Sequence, residues 1–79
     1  MDHVTLLWFG PLKDRLPEGE RRVALEPGDT VSTVFKRVFA DHPEVDLPVA
    51  YAQDATYVSA DTPARPGAEV AAIPPVGGG

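Results

Sequence analysis

Cysteine is absent from this chain, so neither a disulfide nor a thiolate metal site can brace it. The absence matters because 79 residues make one small domain, near the lower size for unaided folding. Histidine is almost absent too. His3 and His42 stand far apart, and His42 precedes a proline in an expected turn. Both read as surface or strand-end residues, not as a zinc site or a catalytic pair. Basic residues number 7 against 12 acidic ones, a formal net charge of −5. The local pair Arg21-Arg22 follows Glu18 and Glu20 and falls short of a basic stripe. Nucleic-acid binding, which needs clustered positive charge against phosphates, is therefore disfavoured. No apolar run approaches a membrane span, and the N-terminus lacks a charged segment followed by a cleavage site. These absences suit a cytoplasmic protein without membrane contact. Missing as well are a Ser-His-Asp spacing, a GxGxxG run and a P-loop, so the side chains form no catalytic constellation.

What is present alternates. Residues 3–9, His-Val-Thr-Leu-Leu-Trp-Phe, read as a strand with Val4, Leu6 and Trp8 on one face and Thr5, Leu7 and Phe9 on the other. Gly10-Pro11 breaks it, and Pro17-Glu18-Gly19 marks a turn. Residues 22–26 read as a second strand paired with the first like a hairpin, Val23 and Leu25 inward. Asp29 or Thr30 then caps the clearest helix. Val31, Val34, Phe35, Val38 and Phe39 fall on one stripe at helical spacing, a core-facing pattern. Lys36, Arg37 and Asp41 face outward, and Pro43 ends the helix near His42. Residues 49–53, 56–59 and 69–73 read as three more strands, with a tight turn at Asp54-Ala55 and a loop over residues 60–67. The expected order is β-β-α-β-β-β: an α+β fold, a mixed sheet of about five strands with one main helix on one face.

One helix covers one face only, and the first strand is apolar on both. Leu7 and Phe9 occupy the uncovered side. In the last strand Val70 and Ala72 turn to the helix, leaving Ala71 and Ile73 outward. If the two strands are neighbours, these side chains form a patch leading towards the C-terminus, the kind of surface a partner covers. The other possibility is a second small core beneath the loop of residues 60–67.

The sequence closes on Pro74-Pro75-Val76-Gly77-Gly78-Gly79. Glycine has no Cβ, so Gly78-Gly79 passes where side chains collide. Six extended residues reach ~20 Å at ~3.3–3.6 Å each. Ordering a free residue costs ~1–2 kcal/mol, and Pro74 and Pro75, with φ already restricted, lower that cost. The physical expectation is a domain over residues 1–75 and a flexible glycine-rich tail over 76–79. Such an arm enters a narrow channel in a partner and presents its last carbonyl carbon for chemistry.

Three stretches resemble a known family. Leu7-Trp8-Phe9-Gly10-Pro11-Leu12-Lys13 is similar to the first strand and turn of the β-grasp, ubiquitin-like sulfur carriers, above all the small subunit of molybdopterin synthase (MoaD). Gly28-Asp29-Thr30-Val31 resembles the start of that family's helix. Residues 66–79, a Glu-Val strand running into Pro-Pro-Val-x-Gly-Gly, resemble its ending, the most specific of the three. Lys13 stands where many relatives carry arginine, Gln53-Asp54 replaces a frequent Val-Asn, and Ala71-Ala72-Ile73 is less aromatic than the Phe-rich version.

The resemblance implies a β-grasp fold and a carrier that is not catalytic alone. An E1-like enzyme using ATP would adenylate Gly79, and a persulfide donor would convert it to a thiocarboxylate. That sulfur would go to cyclic pyranopterin monophosphate held by a MoaE-like large subunit, within a heterotetramer that makes molybdenum cofactor. Gly79 would carry the reactive carbon and Gly78 the passage. Leu7, Phe9, Ala71, Ile73, Pro74, Pro75, Val76 and Gly77 would form the partner interface, with no tightly bound cofactor or metal. Kindred readings share the activated Gly79: a ThiS-like carrier for thiamine thiazole, a carrier for tRNA thiolation, or a ubiquitin-like modifier of lysines. A β-grasp interaction module with an inert tail belongs to another class.

Overall fold

The computed structural model describes residues 2–43 and 50–73. Its elements are β1 (His3–Trp8), α1 (Pro11–Arg15), β2 (Glu20–Ala24), α2 (Val31–Val38), β3 (Ala50–Gln53), β4 (Thr56–Val58) and β5 (Glu69–Ile73). The strands form one sheet in the order β2-β1-β5-β3-β4. Only β1 and β5 run parallel; the other three pairings are antiparallel. The expected mixed sheet is there, and the first and last strands are its central neighbours.

The expected core face forms. Val4, Leu6 and Trp8 of β1 are buried, as are Val70 and Ala72 of β5 and Tyr51 of β3. Against them lie Val31, Val34 and Phe35 of α2, with Phe39 just beyond its end. Trp8 is the hinge of this packing, edge-on to Phe39 at 5.4 Å and to Phe35 at 6.5 Å between ring centroids. Its indole Nε1–H donates to the Leu16 carbonyl at 2.8 Å, which satisfies a polar group that burial would otherwise penalise.

That bond also explains a departure from the sequence expectation. Between β1 and β2 the chain forms a short helix, α1, instead of a plain connection. Pro11 at its first position has the φ a helix needs and no N–H to lose, and Gly10 supplies the preceding positive φ of 58°. Leu12 of α1 is buried in the core, so one apolar side chain fixes the element. Consequently β2 begins at Glu20, two residues before the expected start, and stops at Ala24. Leu25 still packs against the core from beyond the strand end.

Helix α2 is shorter than the periodicity predicts, ending at Val38 with Phe39 as its C-cap. Val38 is only partly buried. Thr30 is the N-cap, in a reciprocal capping box: its hydroxyl accepts from Thr33 N–H at 3.2 Å, and Thr33 Oγ1 accepts from Thr30 N–H at 2.8 Å. Asp29 does a different job. Its carboxylate accepts from the Glu26 amide at 2.8 Å and pairs with Arg37 at 2.8 Å, tying the turn to the helix it precedes. The loop of residues 60–67 lies on this helix side. It accepts from Val31 N–H (Thr62 O, 2.9 Å) and Ser32 N–H (Ala60 O, 3.2 Å), so it completes the cap instead of covering the opposite face.

Residues 74–79, which carry the expected domain boundary and tail, lie outside the described residues, as do residues 44–49.

Candidate functional site

The register of the sheet builds the outer face row by row. Leu7 pairs with Glu20 on one side and Ala71 on the other. Ala71 pairs with Ala52, and Ala52 with Tyr57. Glu20-Leu7-Ala71-Ala52-Tyr57 is thus one row across five strands, about 19 Å wide at ~4.8 Å per strand. One step nearer the end of β5, Ile73 pairs with Ala50, and Phe9 follows Leu7 by two residues along the same face. One step the other way lie Arg22, Thr5 and Glu69.

The expected interface residues come together. Leu7, Ala71 and Ile73 are half-buried, and Phe9 remains 47% exposed. The strand that presents Ala71 and Ile73 is followed in sequence by Pro74, so these apolar side chains lie at the C-terminal end of β5. Pro74, Pro75, Val76, Gly77, Gly78 and Gly79, assigned to the site from sequence, fall outside the described residues.

Sequence reasoning missed the far end of the middle row. Tyr57 is 73% exposed, the most exposed large apolar side chain described, and the small Ala52 beside it is only 8% exposed. Alternation alone could have placed Tyr57 on one of two faces. The deciding signal is the two-residue turn at Asp54-Ala55, which fixes the β3–β4 register and with it the facing of Tyr57.

Polar groups brace this surface from its edge. Asp54 accepts from the Glu69 amide at 3.0 Å and pairs with Arg65. The amide bond, with smaller help from Arg65, holds its carboxyl below the usual aspartate range. Gln53, 6% exposed, points to the helix side; its Nε2 donates to Pro63 O at 3.2 Å and its Oε1 accepts from Arg65 N–H at 2.7 Å. Among the described residues no cluster of His, Asp and Glu is placed to hold a metal ion. No described helix is long and apolar enough to cross a membrane. His42 stacks edge-on near Phe39, at 6.4 Å between centroids.

A profile of the ThiS family matches residues 6–79, from the first strand through the final glycine. The chain belongs to the ThiS family. It is therefore a ubiquitin-like sulfur carrier of the ThiS and MoaD type. No curated protein sequence matches it. Solved structures of the same fold include a Pyrococcus furiosus protein provisionally designated molybdopterin converting factor, subunit 1. It is 20% identical, with TM-score 0.74, over 96% of this chain and 100% of that one. Small archaeal modifier protein 1 of Haloferax volcanii is 18% identical, with TM-score 0.78, over 96% of this chain and 100% of that one. At such identities the likeness establishes the β-grasp fold, and the family profile carries the family.

Proposed function

We propose that this ThiS-family chain is the sulfur-carrying small subunit of a molybdopterin synthase. The observation that carries the proposal is the pairing of β1 with β5. It places Leu7, Phe9, Ala71 and Ile73, with Ala52 and Tyr57, on the face that no described helix covers, at the end of the strand after which the sequence continues Pro-Pro-Val-Gly-Gly-Gly. Burying apolar surface at ~25 cal/mol per Å² supplies docking energy that a thin glycine arm lacks.

The carboxylate of Gly79 is an anion at neutral pH, with an ordinary terminal pKa of ~3.3–3.7. Its charge repels a sulfur nucleophile, and oxide is a poor leaving group. Adenylation by an E1-like enzyme with ATP removes both obstacles. A persulfide sulfur then displaces AMP, a thiol reduces the resulting acyl disulfide, and Gly79 is left as a thiocarboxylate. That soft nucleophile reaches cyclic pyranopterin monophosphate on a MoaE-like large subunit, and two transfers complete the dithiolene. The side chains of the carrier supply docking and reach; acid–base groups come from the partner.

A carrier for thiazole synthesis, for tRNA thiolation or for attachment to lysines uses the same adenylate, and the likeness to a small archaeal modifier protein is of that kind. The Pro-Pro-Val lead into the glycines favours the molybdopterin reading. Replacing Gly79, or adding one residue after it, is expected to abolish sulfur transfer with the fold unchanged by circular dichroism. Transfer retained by either variant contradicts the proposal.

A further inference from the structure

Strand β2 forms one edge of the sheet, and its ladder with β1 fixes which of its backbone groups point off that edge. Trp8 N–H donates to the Gly19 carbonyl at 2.9 Å, and Leu25 N–H to the Asp2 carbonyl at 2.8 Å. In an antiparallel pair such bonds recur at every second residue. Arg21 and Val23 therefore turn their amides and carbonyls to β1, while Glu20, Arg22 and Ala24 turn theirs outward. The Ala24 carbonyl is taken by Arg37 Nη2 at 3.1 Å. Among the described residues nothing hydrogen-bonds the outward amides and carbonyls of Glu20 and Arg22, and both residues are exposed. The opposite edge, β4, has only three residues.

An open edge of this kind is a template for another strand, and the charges on it decide which strand fits. Glu20 and Arg22 lie on the same side of β2, beside Leu7 and Thr5. Among the described residues neither is in an ion pair. A second β2 laid antiparallel can set outward-facing residues against each other in three registers. Centred on Glu20, it opposes glutamate to glutamate; centred on Arg22, arginine to arginine. Centred on Arg21, it sets Glu20 of each copy opposite Arg22 of the other. Opposite charges directly across a strand pair stabilise it and like charges destabilise it, so only the last register is favoured. On the reverse side of that register Arg21 meets its own counterpart, but each is already paired with Glu18 of its own chain.

We propose that β2 is a homotypic pairing edge, and that its occupant is the β2 of a second copy of this chain. Two copies join antiparallel about Arg21. They exchange backbone hydrogen bonds between Glu20 and Arg22 and close two Glu20–Arg22 ion pairs, merging their sheets into one of ten strands. The twofold axis stands perpendicular to the sheet, so the helices of both copies lie on one side and both outer faces on the other. The C-terminal ends of the two β5 strands point in opposite directions. The paired edge is separate from the face and the strand end that support the carrier reading, so each stands or falls without the other.

The test is sedimentation equilibrium of the full chain over a concentration series. A single strand edge buries far less than the ~1,600 Å² of a stable complex, so the dissociation constant is expected on the order of 0.1–1 mM. Arg22→Glu alone and Glu20→Arg alone put like charges opposite each other, and each is expected to weaken association at least about fivefold. An equimolar mixture of the two variants regains the strength of the parent, because every glutamate then faces an arginine of the other chain. Hydrogen exchange reads the backbone of the parent. The amides of Glu20 and Arg22 gain protection as concentration rises, and those of Arg21 and Val23 do not change. A parent that stays monomeric up to about 1 mM overturns the proposal. So does a dimer that the single reversals leave unchanged, or one that the mixture fails to restore.

Discussion

Ala55 sits at φ +68°, in the left-handed region that glycine occupies without strain, as the second residue of the β3–β4 turn. Asp54 before it, at φ +49°, is of a type that tolerates this geometry. Relief of the Cβ clash exceeds the extra unfolded-state entropy of glycine, so Ala55→Gly is expected to raise stability by about 0.5–1 kcal/mol. Urea unfolding checks it; an unchanged or lowered midpoint contradicts it. Asp29 supplies a pH prediction. Its side chain is 8% exposed, and chiefly the Arg37 guanidinium holds its carboxyl far below the usual aspartate range. The unfolded chain titrates this group near ~3.9, so around and below that pH the unfolded state binds the extra proton. The stability Asp29 contributes is thus complete above about pH 4–5 and is lost as pH falls towards its folded value. Asp29→Asn is expected to show a shallower acid loss of Tm than the parent; parallel curves contradict it. In the sequence, Asp29 and Thr30 were equally good caps. Thr30 won because a second threonine lies three residues on, whereas the job of Asp29 depends on Arg37, eight residues away, which no local pattern announces.

At the scale of elements, strands with clear alternation were legible and the pieces held by single tertiary contacts were not. Strand β5 and the core stripe of α2 match the reading from periodicity, because an apolar face has one place to go. Helix α1 was missed because five residues show no period. It exists through the buried Leu12 and the Trp8–Leu16 hydrogen bond. The loop of residues 60–67 looked structureless, yet it is held at one end by the α2 backbone and at the other by Gln53. Leucine at position 53 keeps the volume but leaves the Pro63 carbonyl and the Arg65 N–H without partners. Gln53→Leu is therefore expected to cost about 2 kcal/mol, with amide exchange accelerated first at Arg65 and at Val31 and Ser32. A change under ~0.5 kcal/mol, the usual size for an inconsequential surface substitution, contradicts that role.

The whole molecule combines a small core with a sheet whose two sides differ in cover. One face is sealed by α2, α1 and the loop; the other carries Leu7, Phe9, Ala71, Ile73 and Tyr57, and no described helix lies over it. Four of these were legible because an apolar residue on the uncovered side of a strand has no internal use. Tyr57 was not, because its facing depends on the turn register. The proposed chemistry is legible only through the final glycines and the family of the chain, since the chemistry of a terminus leaves no trace in core packing. The central claim is that Gly79 becomes a thiocarboxylate, and intact-protein mass spectrometry tests it most directly. The chain is incubated with its E1-like enzyme, ATP and a persulfide donor, and the C-terminal peptide is then sequenced. The account predicts one oxygen replaced by sulfur, confined to Gly79 and dependent on ATP. An unmodified Gly79, or a sulfur found elsewhere on the chain, contradicts it.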